Sequence, residues 1–157
     1  MEEREDWSFL QSYSPQDRAV SRSCLEAMLH ENAQRAAVKK GKQALQFFRV
    51  VHFPEIRRNL RIIRRKNRDS DTASYRHAKY MNTVCLVIDY GLLILLVLAW
   101  WLWPADIFLA LVLIVLETVC LVFTFITLFR TEKTCQALVA RRILAELYRQ
   151  EEKESGG

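Results

Sequence analysis

The distribution of apolar and polar positions divides the chain into three stretches. Residues 1–80 mix charged and apolar side chains, residues 81–129 are apolar almost throughout, and residues 130–157 are mixed again. The middle stretch contains two apolar runs, 81–103 and 105–129, separated by Pro104 alone. An α-helix rises about 1.5 Å per residue and the hydrocarbon core of a bilayer is about 30 Å thick, so about 20 apolar residues cross it and both runs are long enough. The pattern predicts an all-α membrane protein, a two-transmembrane helical hairpin with cytoplasmic helices packed below it.

The flanks carry helical signals. Residues 1–13 are acidic and read as a flexible N-terminus, and residues 14–80 read as a cytoplasmic helical region. Ser14, Pro15 and Asp17 have the order of an N-cap, a first-turn proline and an acidic third position, so a helix is expected to start there. It is expected to run past Leu25, Met28 and Leu29 toward Lys39, Lys40 and Gly41. A second piece, 42–53, carries Leu45, Phe47, Phe48, Val50, Val51 and Phe53, more apolar surface than a lone helix leaves in water, and Pro54 ends or kinks it. It is expected to pack on another helix or to dip into the membrane interface.

A basic juxtamembrane helix, 54–68, follows. Seven of the twelve residues from Arg57 to Arg68 are basic (Arg57, Arg58, Arg61, Arg64, Arg65, Lys66 and Arg68), while Ile56, Leu60 and Ile63 recur at helical spacing. A narrow apolar stripe edged with arginine suits an anionic membrane surface, where each Lys or Arg contributes about 1 kcal/mol. The same charges would neutralise nucleic-acid phosphates, but no helix-turn-helix, zinc finger or aromatic stacking motif accompanies them, so lipid headgroups are the expected partner, with a plain topology determinant the next reading. Asp71 is expected to cap a helix leading through Tyr75 and Tyr80 into the first apolar run. Past Phe129 no helix breaker occurs, so a helical extension, 130–152, is expected before a tail at 153–157. Leu138, Val139, Ile143, Leu144, Leu147 and Tyr148 give that extension an apolar face for which the N-terminal helix or the 42–53 piece is the nearest cover.

Charge sets the expected orientation. Lys and Arg crowd both outer flanks, among them Arg64, Arg76, Lys79, Arg130 and Lys133, and are missing from the connection at Trp103, Pro104 and Ala105. The positive-inside rule then puts both termini on the cytoplasmic side of an integral, multi-pass protein. Trp100, Trp101 and Trp103 fit the far interface, Pro104 fits the first turn of the returning helix, and Asp106 complements its positive end. Met1 is followed by Glu2, Glu3, Glu5 and Asp6 rather than by a basic and then apolar leader, so the hairpin itself is expected to act as the insertion signal.

The chain has 157 residues and a formal net charge of +5. With about 50 residues in lipid, the remainder is too short for a conventional two-domain enzyme. There is no Gly-rich phosphate loop, nucleophile elbow or H-E-x-x-H, and His30, His52 and His77 lie apart without ligand spacing. A non-enzymatic protein without cofactor or metal is expected. Of the four cysteines, Cys24 and Cys135 face a reducing compartment on this topology and Cys85 and Cys120 lie in lipid, so free thiols are expected; Cys135, six residues past the second run, is a candidate for S-acylation.

The apolar runs contain two carboxylates. Asp89 lies eight residues into the first run and Glu117 twelve into the second, where an ionised acid is costly and needs a partner, a cavity or a proton. They are 15 and 13 residues from Pro104 and so fall within about 3 Å of one depth in an antiparallel pair. Asn82, Cys85 and Asp89 recur at i, i+3, i+7, and Glu117, Cys120, Thr124 and Thr127 at i, i+3, i+7, i+10, so each helix has one polar stripe in its cytoplasmic half. Such stripes can pack on each other, join copies or subunits, or line a cation path in a ring of hairpins. The expected function is therefore assembly, as a homo-oligomer or a subunit or scaffold of a heteromeric membrane complex. The alternative is an oligomeric pore or a proton or cation pathway using Asp89 and Glu117.

The layout of two apolar runs followed by a helix is similar to several groups of two-pass proteins. Among them are the small bacterial two-transmembrane effectors proposed to form pores in defence systems, a likeness of topology rather than of residue signature.

Overall fold

The computed structural model describes residues 5–30, 33–66, 70–102 and 107–155, and every regular element among them is helical. Five α-helices follow a short 3-10 helix at Ser8–Ser12: α1 Pro15–Leu29, α2 Arg35–Val51, α3 Phe53–Lys66, α4 Ser70–Leu102 and α5 Ile107–Ser155. The chain divides into two compact units, the first made of residues 1–72 and 135–157 and the second of residues 73–134.

In the first unit the core comes from every segment. Trp7, Leu10, Leu25, Leu45, Phe48, Ile56, Ile62 and Ile63 are buried together with Leu138, Val139, Ile143 and Leu147 of α5. α1 begins where its cap dictates: the Ser14 hydroxyl accepts from the Asp17 N–H at 3.2 Å, with Pro15 in the first turn. α1 ends at Leu29, and Gly41, expected as a helix boundary, lies inside α2 instead. A Cβ at Gly41 would collide with the Cys24 carbonyl oxygen and the Met28 Cβ of α1. The glycine is therefore a contact point between two helices. α2 stops at Val51, and Pro54 stands in the first turn of α3, where its missing N–H breaks no intrahelical bond.

The segment 5–13, expected to be flexible, is ordered and packed. Trp7 and Leu10 are 7% and 0% exposed. The Asn59 side-chain amide accepts from the Asp6 N–H at 2.9 Å and donates to the Asp6 carbonyl at 2.6 Å, tying the N-terminus to α3. Phe9 stacks on His52 with ring centroids 4.2 Å apart, and the Tyr13 hydroxyl lies 2.8 Å from His52 Nε2. The tail of α5 is fastened to α1 by Arg18, which donates to Gln150 at 3.2 Å and pairs with Glu154 at 2.7 Å, by the Arg22–Glu151 ion pair, and by the Tyr148 hydroxyl donating to Glu26.

Further details depart from expectation. Asp71 stands in the first turn of α4 rather than at its cap and pairs with Arg141 at 2.5 Å. Of the α3 stripe, Ile56 and Ile63 are at most 3% exposed and Leu60 is half-buried, and Ile62 beside it is 2% exposed, so these isoleucines belong to the core of the unit. Cys135 is 6% exposed, which withdraws its thiol from S-acylation in this conformation.

The second unit comprises α4 from Ala73 and α5 up to Thr134. Both helices are long and apolar enough to cross a membrane, with mean hydropathy of 2.3 and 2.8 over their most apolar windows. Only 6% of each window is buried, whereas the core helix of a soluble protein is mostly covered. Ile94, Val97, Leu111, Val115, Phe125 and many like them are more than half exposed, an apolar surface far larger than water-soluble monomers tolerate. The proposed interfacial turn at Trp103, Pro104, Ala105 and Asp106 lies outside the described residues.

Candidate functional site

The polar side chains of the second unit meet in a seam between α4 and α5. Thr124 donates its hydroxyl to the Asp89 carboxylate, Thr127 donates to Asn82 Oδ1 at 3.2 Å, and Thr131 donates to the Ala78 carbonyl at 3.1 Å. As the α4 number falls from 89 to 78, the α5 number rises from 124 to 131, the order of two helices running in opposite directions. Threonine suits these positions, because within an apolar helix its hydroxyl can satisfy a carbonyl three or four residues back and a neighbouring helix too. Thr127 bonds the Thr124 carbonyl at 2.9 Å, and Thr131 bonds that of Thr127 at 2.8 Å.

Asp89, Glu117 and Thr124 are 7%, 9% and 9% exposed, in helices whose other side chains are mostly open. Cys120 lies within electrostatic reach of Asp89, Glu117 and Cys85, which brings both stripes into one cluster; Cys85 and Cys120 are half-buried free thiols. Asp89 takes its hydrogen bond from Thr124, not from anything on its own helix. One oxygen of each acid, Asp89 Oδ1 and Glu117 Oε2, is buried without a hydrogen-bond partner. A buried, unpaired carboxylate oxygen costs several kcal/mol, so each needs a proton, a bound ion or a donor from outside the chain. Thr131 belongs to the seam although it was not singled out in the sequence; its signal is the i+4 step from Thr127.

Among the described residues no group of three or more His, Cys, Asp or Glu side chains converges to hold a metal ion. His52 is engaged by Phe9 and Tyr13 in the first unit, and His77 belongs to α4 in the second.

The other candidates are not part of the seam. Arg57, Arg58, Arg61, Arg64 and Arg65 form the exposed face of α3, with the Arg57 guanidinium 5.9 Å from the Phe53 ring centroid. The side chain of Lys66 and all of Arg68 lie outside the described residues. Asp6, near Arg58, has its carboxyl held below the usual carboxylate range, mainly by hydrogen bonds from Ser8 and to a smaller extent by that arginine. Burial pushes the Tyr13 phenol up, and donation to Glu26 raises that of Tyr148. Trp100 and Trp101 are 70% and 78% exposed at the end of α4, and Trp103 lies outside the described residues.

No protein-family model, curated protein or solved structure matches the chain.

Proposed function

We propose that the chain is a non-enzymatic, two-pass membrane protein that assembles with copies of itself into a membrane scaffold. In this reading α4 and α5 form a transmembrane hairpin with both termini on the cytoplasmic side, where the first unit lies. The observation that carries assembly is the pair of orphaned oxygens, Asp89 Oδ1 and Glu117 Oε2. Thr124 and Thr127 satisfy one oxygen each of Asp89 and Asn82 within the chain, and the two buried orphaned oxygens are acceptors in an apolar setting that a neighbouring chain can complete.

The same oxygens favour a second reading, an oligomeric pore or proton or cation pathway in which a proton or ion supplies the missing partner. Light scattering of the full chain in detergent and ion leak from liposomes separate the two. Assembly predicts a particle holding more than one 18.5 kDa chain that shrinks when Asp89→Asn and Glu117→Gln are combined, with no leak from wild type. Conduction predicts a leak that depends on pH and is lost in Glu117→Gln. A single-chain particle that leaks nothing, or wild-type behaviour of the double variant in both assays, contradicts both.

A further inference from the structure

The end of the second unit opposite Trp100 and Trp101 contains a groove of about 450 Å³ between α4 and α5. It exists because α4 offers small side chains where the helices meet: Ala73, Ser74 and Ala78 leave space, and Thr131 fastens α5 to the Ala78 carbonyl. His77 lines the groove from α4 and Arg130 from α5, both exposed, and among the described residues no carboxylate lines it. Met81, the first residue of the apolar run, also lines it and is 40% exposed. Arg130 follows immediately on Phe129, the last residue of the other run, so cationic and apolar linings meet where both helices change from apolar to charged.

We infer that this groove binds the headgroup of one anionic phospholipid, its phosphate between Arg130 and His77 and the start of its acyl chain along Met81. Three features of the groove select that ligand. A guanidinium presents paired donors that match phosphate oxygens. A basic recess between membrane helices at the headgroup level attracts anionic lipid electrostatically. The apolar lining that continues toward Met81 has no use for a free phosphate but suits a glycerol backbone and chain. A second copy of the chain would bring another Arg130 guanidinium against this one, which like charge disfavours.

The inference rests on the reading of α4 and α5 as membrane spans, and one experiment tests the two separately. The full chain is released from micelles containing equal amounts of phosphatidylglycerol and phosphatidylcholine and weighed by native mass spectrometry. The expected result is retention of one phosphatidylglycerol per chain in preference to phosphatidylcholine. The preference should fall about fivefold in Arg130→Gln, the loss expected of one basic residue near an anionic lipid. It should also fall in Ala73→Leu, which fills the groove and leaves every charge in place. Lys133→Gln is the control: Lys133 is exposed at the same level, 5.0 Å from the Phe129 ring centroid, and does not line the groove. Equal retention of both lipids, or an equal loss in Lys133→Gln and Arg130→Gln, overturns the site and leaves the spanning helices intact. Recovery of folded, dissolved chain without any detergent or lipid overturns the spanning reading and the site with it.

Discussion

Ile143→Ala is expected to destabilise the first unit by about 2–5 kcal/mol, a large share of the 5–15 kcal/mol that holds a typical domain together. Ile143 has no exposed surface and lies in the part of α5 that joins Leu10, Leu25 and Leu45, all at most 1% exposed, in one core. Removing its outer carbons forfeits their transfer free energy and leaves a cavity that four helical segments must collapse to fill. The cavity lies between pieces of chain far apart in sequence, residues 1–72 and 135–157, so the loosening should appear in both. Hydrogen exchange of the full chain in detergent should show faster exchange in α1 and in the tail of α5, with the apolar part of α4 unchanged. A loss below about 1 kcal/mol would mean that the α5 tail does not share this core.

Gly41→Ala is the second large effect, and its sign is set by two opposed terms. Alanine in a helix interior is favoured over glycine by about 1 kcal/mol. Against that, the new methyl group at position 41 meets the Cys24 carbonyl oxygen and the Met28 Cβ, neither of which can rotate away. Overpacking of this kind costs about 1–3 kcal/mol and occasionally more, and here α1 and α2 themselves must separate, so a net loss is expected. Gly91 provides the contrast. It sits in α4 with nothing within 4 Å of an added Cβ, so Gly91→Ala should be neutral or slightly stabilising. Thermal unfolding of the two variants in the same detergent checks both signs. Equal gains from both would show that α1 and α2 do not meet closely at Gly41.

What the sequence revealed and what it hid divide along the range of the interactions involved. The start of α1 depends on Ser14, Pro15 and Asp17, three neighbours, and it lies where they put it. The continuation of α5 through the charged residues after Phe129 follows from the absence of a breaker. Gly41 misled because its reason is 13 and 17 residues away, at Met28 and Cys24, and a local reading sees only a residue that weakens helices. Asn59 falls beside the apolar stripe of α3 as a polar interruption; its partner is the backbone of Asp6, 53 residues earlier. The acidic N-terminus concealed Trp7 and Leu10, whose burial depends on a surface assembled from the rest of the unit.

The seam followed the same division. The spacing of Asn82, Cys85 and Asp89 against Glu117, Cys120, Thr124 and Thr127 was legible because helical periodicity is local. The pairing of Asp89 with Thr124 depends on how two helices slide past each other, and no periodicity fixes that. The arginines of α3 could be counted in advance. That its isoleucines would be consumed in a core, with the arginines on the exposed face, could not.

Assembly through the seam and lipid binding in the groove both require α4 and α5 to cross one bilayer in opposite directions. The most direct test places a different epitope at each end of the full chain and treats sealed membrane vesicles with protease. Both epitopes are expected to be removed together from vesicles of one orientation and protected together in the other. Removal of one with protection of the other, at any single orientation, would contradict the account.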